Sequence, residues 1–155
     1  MTNLRPILYA EDDPRDTELT LSAFAESRLA NQIIVVLDGA QALDYLFRRG
    51  TFAGRIPGLP AFVLLDLKMP KVDGLEVLRQ MKADDVLSVV PVIMLTSSRE
   101  ERDLMISYKN GANAYVVKPI EFGEFMRAVR ELSVFWGVIN EPPPEPPAAA
   151  KSTGG

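Results

Sequence analysis

The chain contains no cysteine and no histidine among its 155 residues. Without thiols there is no disulfide, no thiolate zinc site and no cysteine nucleophile. Without imidazole the commonest general base and transition-metal ligand are gone, and the chain cannot itself carry a phosphohistidine. Its chemistry must run on carboxylates, hydroxyls and lysine. Long hydrophobic runs are also missing: apolar residues make up 47% of the chain, yet no uninterrupted stretch approaches the roughly 20 residues that cross a bilayer. Basic charge is short, with 17 Lys and Arg against 21 Asp and Glu for a net charge of -4, which disfavours binding to a nucleic-acid backbone. The start, Met1–Leu4, has no basic stretch leading into an apolar one, so no secretory signal is expected. A cytoplasmic protein with neither a membrane nor a nucleic-acid partner is the expectation.

The chain is long enough for one domain with a proper core, placed over residues 1–139. Residues 140–155, dominated by proline and alanine from Glu141 to Ala150, bury too little apolar surface to order themselves and are expected as a disordered tail. Within the domain, residues 5–10 form a β-type run, and Asp13 followed by Pro14 reads as a helix N-cap with proline in the first turn. Leu21, Phe24, Ala25 and Leu29 recur at helical spacing to about Ala30, before a β-branched strand, Ile33–Leu37. Asp38 and Gly39 open a helix with Ala42, Leu43, Leu46 and Phe47 on one face. Residues 50–60, with three glycines and two prolines, predict a long loop with a mobile tip.

A strand over Phe62–Leu65 runs into Asp66, then a turn with Asp73 as a turn or capping residue leads to a helix marked by Leu75, Val77, Leu78 and Met81. Val92–Leu95 is the fourth strand, a helix runs from about Arg99 to Lys109, and Ala114–Val117 is the fifth strand. The last helix, about Ile120–Trp136, carries Phe122, Phe125, Val129, Leu132 and Trp136 at close to an a/d spacing. Five strand and helix units in alternation, with strands that lack polar alternation, predict an α/β domain: a doubly wound parallel sheet covered on both faces.

In such a sheet ligands bind beyond the carboxyl ends of the strands. Glu11 and Asp12 follow ILYA, Asp66 follows FVLL, Thr96 follows VIML and Lys118 follows YVV, so all five converge on that edge. Three carboxylates held together repel: two unit charges about 4 Å apart cost roughly 4 kcal/mol at an effective dielectric near 20. A cation would relieve the repulsion, and an all-oxygen site with few carboxylates suits Mg²⁺ better than Ca²⁺. Asp66 could then attack a phosphoryl group, with Lys118 as a second fixed cation and the Thr96 hydroxyl donating to a phosphoryl oxygen. Taken singly each residue has a plainer role, as a first-turn acid, a strand end or a solvated lysine, and Asp13 is assigned to capping. The joint register outweighs the separate explanations.

ILYAEDD, LLDLKMPKVDG, VIMLTSS and AYVVKPI, in this order and spacing over about residues 5–138, resemble the receiver domain of two-component response regulators. The resemblance implies a flavodoxin-like (βα)5 fold with a five-stranded parallel sheet in the order 2-1-3-4-5, and a cis peptide between Lys118 and Pro119. It implies that Asp66 is the phosphoacceptor assisted by Lys118 and Thr96, that Thr96 and Tyr115 are the switch residues, and that Lys68 and Ser98 tune phosphate lifetime. Mg²⁺ would be held by Asp12, Asp66 and the Lys68 backbone carbonyl, with Glu11 reaching it directly or through water. Position 11 is glutamate, a residue common in the family there, whereas some receivers have aspartate.

The implied function is a stand-alone phosphoacceptor signalling protein rather than an enzyme. A sensor histidine kinase would phosphorylate it and change the surface of its fourth helix, fifth strand and fifth helix. Only a short tail follows, so output would pass through protein contact, dimerisation or onward transfer to a histidine phosphotransfer protein. Phe135, Trp136 and the long loop before Phe62 resemble regulators partnered with phytochrome-type histidine kinases. Val134, Phe135, Trp136, Val138 and Ile139 present more apolar surface than one buried face needs, which predicts a homodimer through the last helix.

Three other readings remain. An aspartate-nucleophile phosphatase or phosphotransferase of the haloacid-dehalogenase kind would need a second aspartate where Lys68 stands. A flavin carrier would need a phosphate-cradling loop where the acidic EDDPRD stands. A pseudo-receiver used only for interaction would have no need of the full set of chemical residues.

Overall fold

The structure, a computed structural model, describes residues 4–27 and 30–136. Five short strands, β1 (Ile7–Ala10), β2 (Ile33–Val36), β3 (Val63–Asp66), β4 (Val92–Thr96) and β5 (Ala114–Val117), alternate with helices α1 (Pro14–Ser27), α2 (Gly39–Phe47), α3 (Gly74–Ala83), α4 (Arg99–Ser107) and α5 (Phe122–Trp136). The strands form one parallel sheet in the order β2-β1-β3-β4-β5, as the resemblance implies. Successive strands are added in opposite directions on either side of β1, so the order reverses between β1 and β3, the switch point where a doubly wound sheet forms its crevice at the carboxyl edge.

The sheet is apolar on both sides because alternate strand residues feed two cores. Leu8, Ala10, Val63, Leu65, Val92 and Met94 pack with α2 and α3. Ile7, Tyr9, Leu64, Ile93 and Leu95 face the other way, onto Phe24 of α1 and Phe125, Val129 and Leu132 of α5. Phe24 meets Phe125 edge-on, with centroids 4.9 Å apart, and so joins the two helices on that side.

Two close approaches fix the loops around the crevice. A Cβ at Gly74 would collide with the Asp66 carbonyl, and one at Gly39 with the Val72 carbonyl. Glycine at these two positions lets the start of α3 sit against the end of β3, and the start of α2 against the loop that follows β3.

Several expectations are corrected. The buried stripe of α1 is Thr20, Ala23 and Phe24, whereas Leu21 and Ala25 are exposed. A buried threonine hides the true helical face from a purely apolar count. Phe122 is 43% exposed, because the first residue of α5 lies above the α1 contact that buries Phe125 and Val129. Residues 50–60 are not plain loop: Gly50–Phe52 is a 3-10 turn, and Arg55 stacks over the Tyr45 ring at 4.0 Å while its Nε donates to the Tyr45 carbonyl at 2.8 Å. A second 3-10 turn, Leu87–Val89, precedes β4. α4 ends at Ser107 and α5 begins at Phe122, each two residues inside the expected limits. The end of α1 near Leu29, the side chains of Val134, Phe135 and Trp136, and residues 137–155 lie outside the described residues. No helix among the described residues is long and apolar enough to cross a membrane.

Candidate functional site

Glu11 and Asp12 leave the end of β1, and Asp66 is the last residue of β3, so adjacent parallel strands deliver all three acids to the crevice. One carboxylate oxygen from each lies within 4.8 Å of the others, and this is the group among the described residues that could hold a metal ion. Glu11 and Asp66 are buried and Asp12 is exposed, so the cluster has a dry floor and one wet wall. Three oxygen donors with an open side are a set that a hard divalent cation fits.

Lys118 enters from the end of β5. Its backbone N–H donates to the Thr96 carbonyl at 2.7 Å, and the peptide bond to Pro119 is cis. The ammonium donates to Asp16 Oδ2 at 2.9 Å, Asp66 Oδ2 at 3.1 Å and Glu11 Oε1 at 3.3 Å. Burial opposes the Lys118 charge, but Asp16, Asp66 and Glu11 together outweigh it and hold the ammonium above its ordinary range. Glu11 goes the other way: burial first, then the hydrogen bond and charge of Asp66, push its carboxyl up to about 8 against the pull of Lys118. Near neutral pH, without a metal, a proton on Glu11 relieves the crowding.

The neighbouring acids do local work. Asp13 Oδ1 accepts from the N–H groups of Arg15 and Asp16 at 2.8 and 3.3 Å and caps α1. Asp73 caps α3 by accepting from the Glu76 N–H at 2.9 Å. Both fill the capping roles that the sequence predicts for them.

Across the crevice, Thr96 is fully buried at the end of β4 and its hydroxyl donates to the Ser98 carbonyl at 3.4 Å. Ser98 is the N-cap of α4, its hydroxyl accepting from the Glu101 N–H at 3.1 Å. Lys68, two residues beyond Asp66, reaches Glu101 Oε2 at 3.2 Å. Tyr115 on β5 is half-buried, and its hydroxyl donates to Asn110 Oδ1 at 2.5 Å. Asp66, Glu11 and Lys118 are thus in direct contact, whereas Tyr115 stands in a separate hydrogen bond.

Sequence reasoning missed three partners. Asp16 holds Lys118, but in the sequence it is indistinguishable from an ordinary first-turn acid. Glu101 carries a faint signal, since Ser98 followed three residues later by glutamate is a capping-box pattern. Asn110 carries none.

A doubly wound parallel sheet whose switch-point crevice holds three clustered acids and a lysine is the arrangement of an α/β domain built for metal-assisted phosphoryl chemistry. Residues 7–130 match the family model described as the response regulator receiver domain, and the chain belongs to that family. Members act as phosphoacceptor signalling proteins rather than as enzymes. Among solved structures it is similar to the bacteriophytochrome response regulator RtBRR, at 59% identity and a TM-score of 0.83, covering 92% of this chain and 86% of that one. It is also similar to the Mn(2+)-bound form of response regulator Rcp1, at 32% identity and a TM-score of 0.67, covering 85% and 94%. A relative by sequence is the probable methanogenesis regulatory protein FilR2 of Methanothrix harundinacea (strain 6Ac), 41% identical over 137 residues, which are 88% of this chain and 86% of the relative.

Proposed function

We propose that Asp66 accepts a phosphoryl group from the phosphohistidine of a sensor histidine kinase. A carboxylate oxygen of Asp66 forms the new P–O bond as the donor P–N bond breaks, and the imidazole nitrogen takes up a proton. Lys118, 3.1 Å from Asp66, balances the charge gathering on the phosphoryl oxygens. The Thr96 hydroxyl turns from the Ser98 carbonyl to a phosphoryl oxygen, and Tyr115 follows, altering the α4, β5 and α5 surface. Lys68 and Ser98 tune how long the phosphate lasts. The observation that carries this reading is the approach of Lys118 to Asp66 within a cluster of three acids.

Mg²⁺ is the cofactor this donor set fits, held by Asp12, Asp66 and the Lys68 carbonyl, with Glu11 direct or through water. It would supply neutralising charge to the phosphoryl oxygens. The Mn(2+)-bound Rcp1 structure supports a divalent ion. Likeness to RtBRR supports a phytochrome-type kinase as the donor. A histidine phosphotransfer protein is the onward acceptor, and a second copy docks through the last helix. Light scattering that gives a monomer mass at every concentration would remove the dimer. No phosphatase turnover is expected, since Lys68 fills the place of a second catalytic carboxylate and is paired with Glu101.

The test is uptake of acid-labile phosphate from acetyl phosphate with Mg²⁺. The parent protein takes it up and Asp66→Asn does not. Undiminished uptake by that variant overturns the assignment.

A further inference from the structure

Glu101 lies in the first turn of α4, where a glutamate three residues after an N-cap serine normally closes a capping box. Here its two oxygens are divided. Oε1 accepts from both the N–H and the hydroxyl of Ser97, at 2.7 and 3.1 Å, just beyond Thr96. Oε2 lies 3.2 Å from the ammonium of Lys68, just beyond Asp66. One carboxylate therefore ties the loop after β4 to the loop after β3, the two loops that follow Thr96 and Asp66. The Glu101 side chain is only 14% exposed, so its place is fixed by its own helix, while Lys68 is 77% exposed and reaches inward to meet it. Burial works against the Glu101 charge, but the Ser97 N–H, the Lys68 ammonium and the Ser97 hydroxyl together hold its carboxyl below the usual range.

We infer that Glu101 is a positioning residue: by fixing the Lys68 ammonium over the crevice it limits water access to phosphorylated Asp66 and lengthens the life of the phosphate. This rests on Asp66 being the acceptor. In the step it restrains, a water oxygen forms a P–O bond, the bond from phosphorus to the Asp66 oxygen breaks, the carboxylate leaves with the electron pair, and the water proton passes to phosphate or solvent. Local capping explains Oε1 alone. It gives no reason for a surface lysine to lie on Oε2.

The experiment loads the full chain from acetyl phosphate with Mg²⁺, removes the donor, and follows first-order loss of phosphate. Glu101→Gln keeps an oxygen for Ser97 but loses the charge for Lys68, and Lys68→Met removes the other partner. Each single variant should lose phosphate about twofold to fivefold faster, the range that a part-exposed ion pair can supply. The double variant should be no faster than the quicker single one, because both remove the same bridge. Raised salt should bring the parent towards the variants and leave the variants unchanged. A purely structural role would instead lower the unfolding midpoint of Glu101→Gln with no coupling to Lys68. Parent-like decay in Glu101→Gln, or rates that multiply in the double variant, overturns the bridge while leaving Asp66 as acceptor. Phosphate uptake by Asp66→Asn overturns the acceptor reading instead.

Discussion

α3 and α4 lie on the same side of the sheet, one behind Asp66 and the other behind Thr96, yet they are held by different forces. α3 buries Gly74, Val77, Leu78 and Met81, and its first residue is wedged against the Asp66 carbonyl. α4 buries Met105 alone. What holds α4 is polar: the Ser98 cap, the Glu101 bridge to Lys68, and Arg102 reaching Glu124 of α5 at 3.8 Å. Even that last contact is incomplete, since Arg102 Nε is buried without a hydrogen-bond partner. Apolar packing keeps a helix in one place, whereas an exposed polar attachment can be exchanged for another at a cost of about 1 kcal/mol. On the proposed reading, the acceptor Asp66 is then fixed by a packed helix, and the switching surface is left on a loosely packed one. Phosphoryl charge added to Asp66, as proposed, would act where the structure yields most easily.

The comparison breaks if both helices resist truncation equally. Leu78→Ala should cost about 2–5 kcal/mol, because a fully buried leucine leaves a cavity among side chains that cannot follow it. Met105→Ala should cost less than the lower end of that range, since α4 can settle into the space. Urea titration of both variants gives the two figures, and equal losses would dissolve the distinction. Lys118→Met comes next. Without its cation the acid cluster should cost about 2–3 kcal/mol in Mg²⁺-free buffer, less than a fully buried broken pair because Glu11 can take a proton. Added Mg²⁺ should restore much of the loss.

Glu11 supplies a smaller and more graded effect. Its folded-state carboxyl is raised to about 8, so the folded chain holds a proton that the unfolded chain has released. The stability this contributes is complete below the ordinary carboxylate range and is lost as pH rises through about 8. Without Mg²⁺ the urea midpoint should fall between pH 6 and pH 9, and Glu11→Gln should flatten that slope. Because Mg²⁺ and the proton compete for the same oxygens, Mg²⁺ affinity should rise over the same interval. A flat affinity would mean that Glu11 stays ionised or lies outside the metal site.

Much of the fold and of the acid cluster is legible in the chain itself. Strand ends show in sequence because an apolar run stops at a charged residue, which is why the sequence places Glu11, Asp12, Asp66 and Lys118 on one edge. Sheet order came from family likeness, since periodicity records which residues face a helix but not which strands are neighbours. What stayed hidden was pairing over long separations: Asp16 with Lys118 and Lys68 with Glu101 use residues that look like ordinary helix-start and surface charges. The loose packing of α4 was hidden too. Leu104 and Ile106 look like core residues in the sequence and are 52% and 55% exposed.

The finest test concerns the cap. Ser98→Ala removes the hydroxyl that accepts from the Glu101 N–H, and loss of such a cap costs about 1 kcal/mol. Little apolar contact backs up that cap in α4, so the loss should appear as local opening: faster amide exchange at Glu101 and Arg102, with α3 unchanged. Glu101 also positions Lys68, so the same change should shorten phosphate lifetime slightly, by less than Glu101→Gln. If exchange instead quickens equally in α3 and α4, the two helices open as one unit, and the division between a fixed acceptor side and a yielding output side fails.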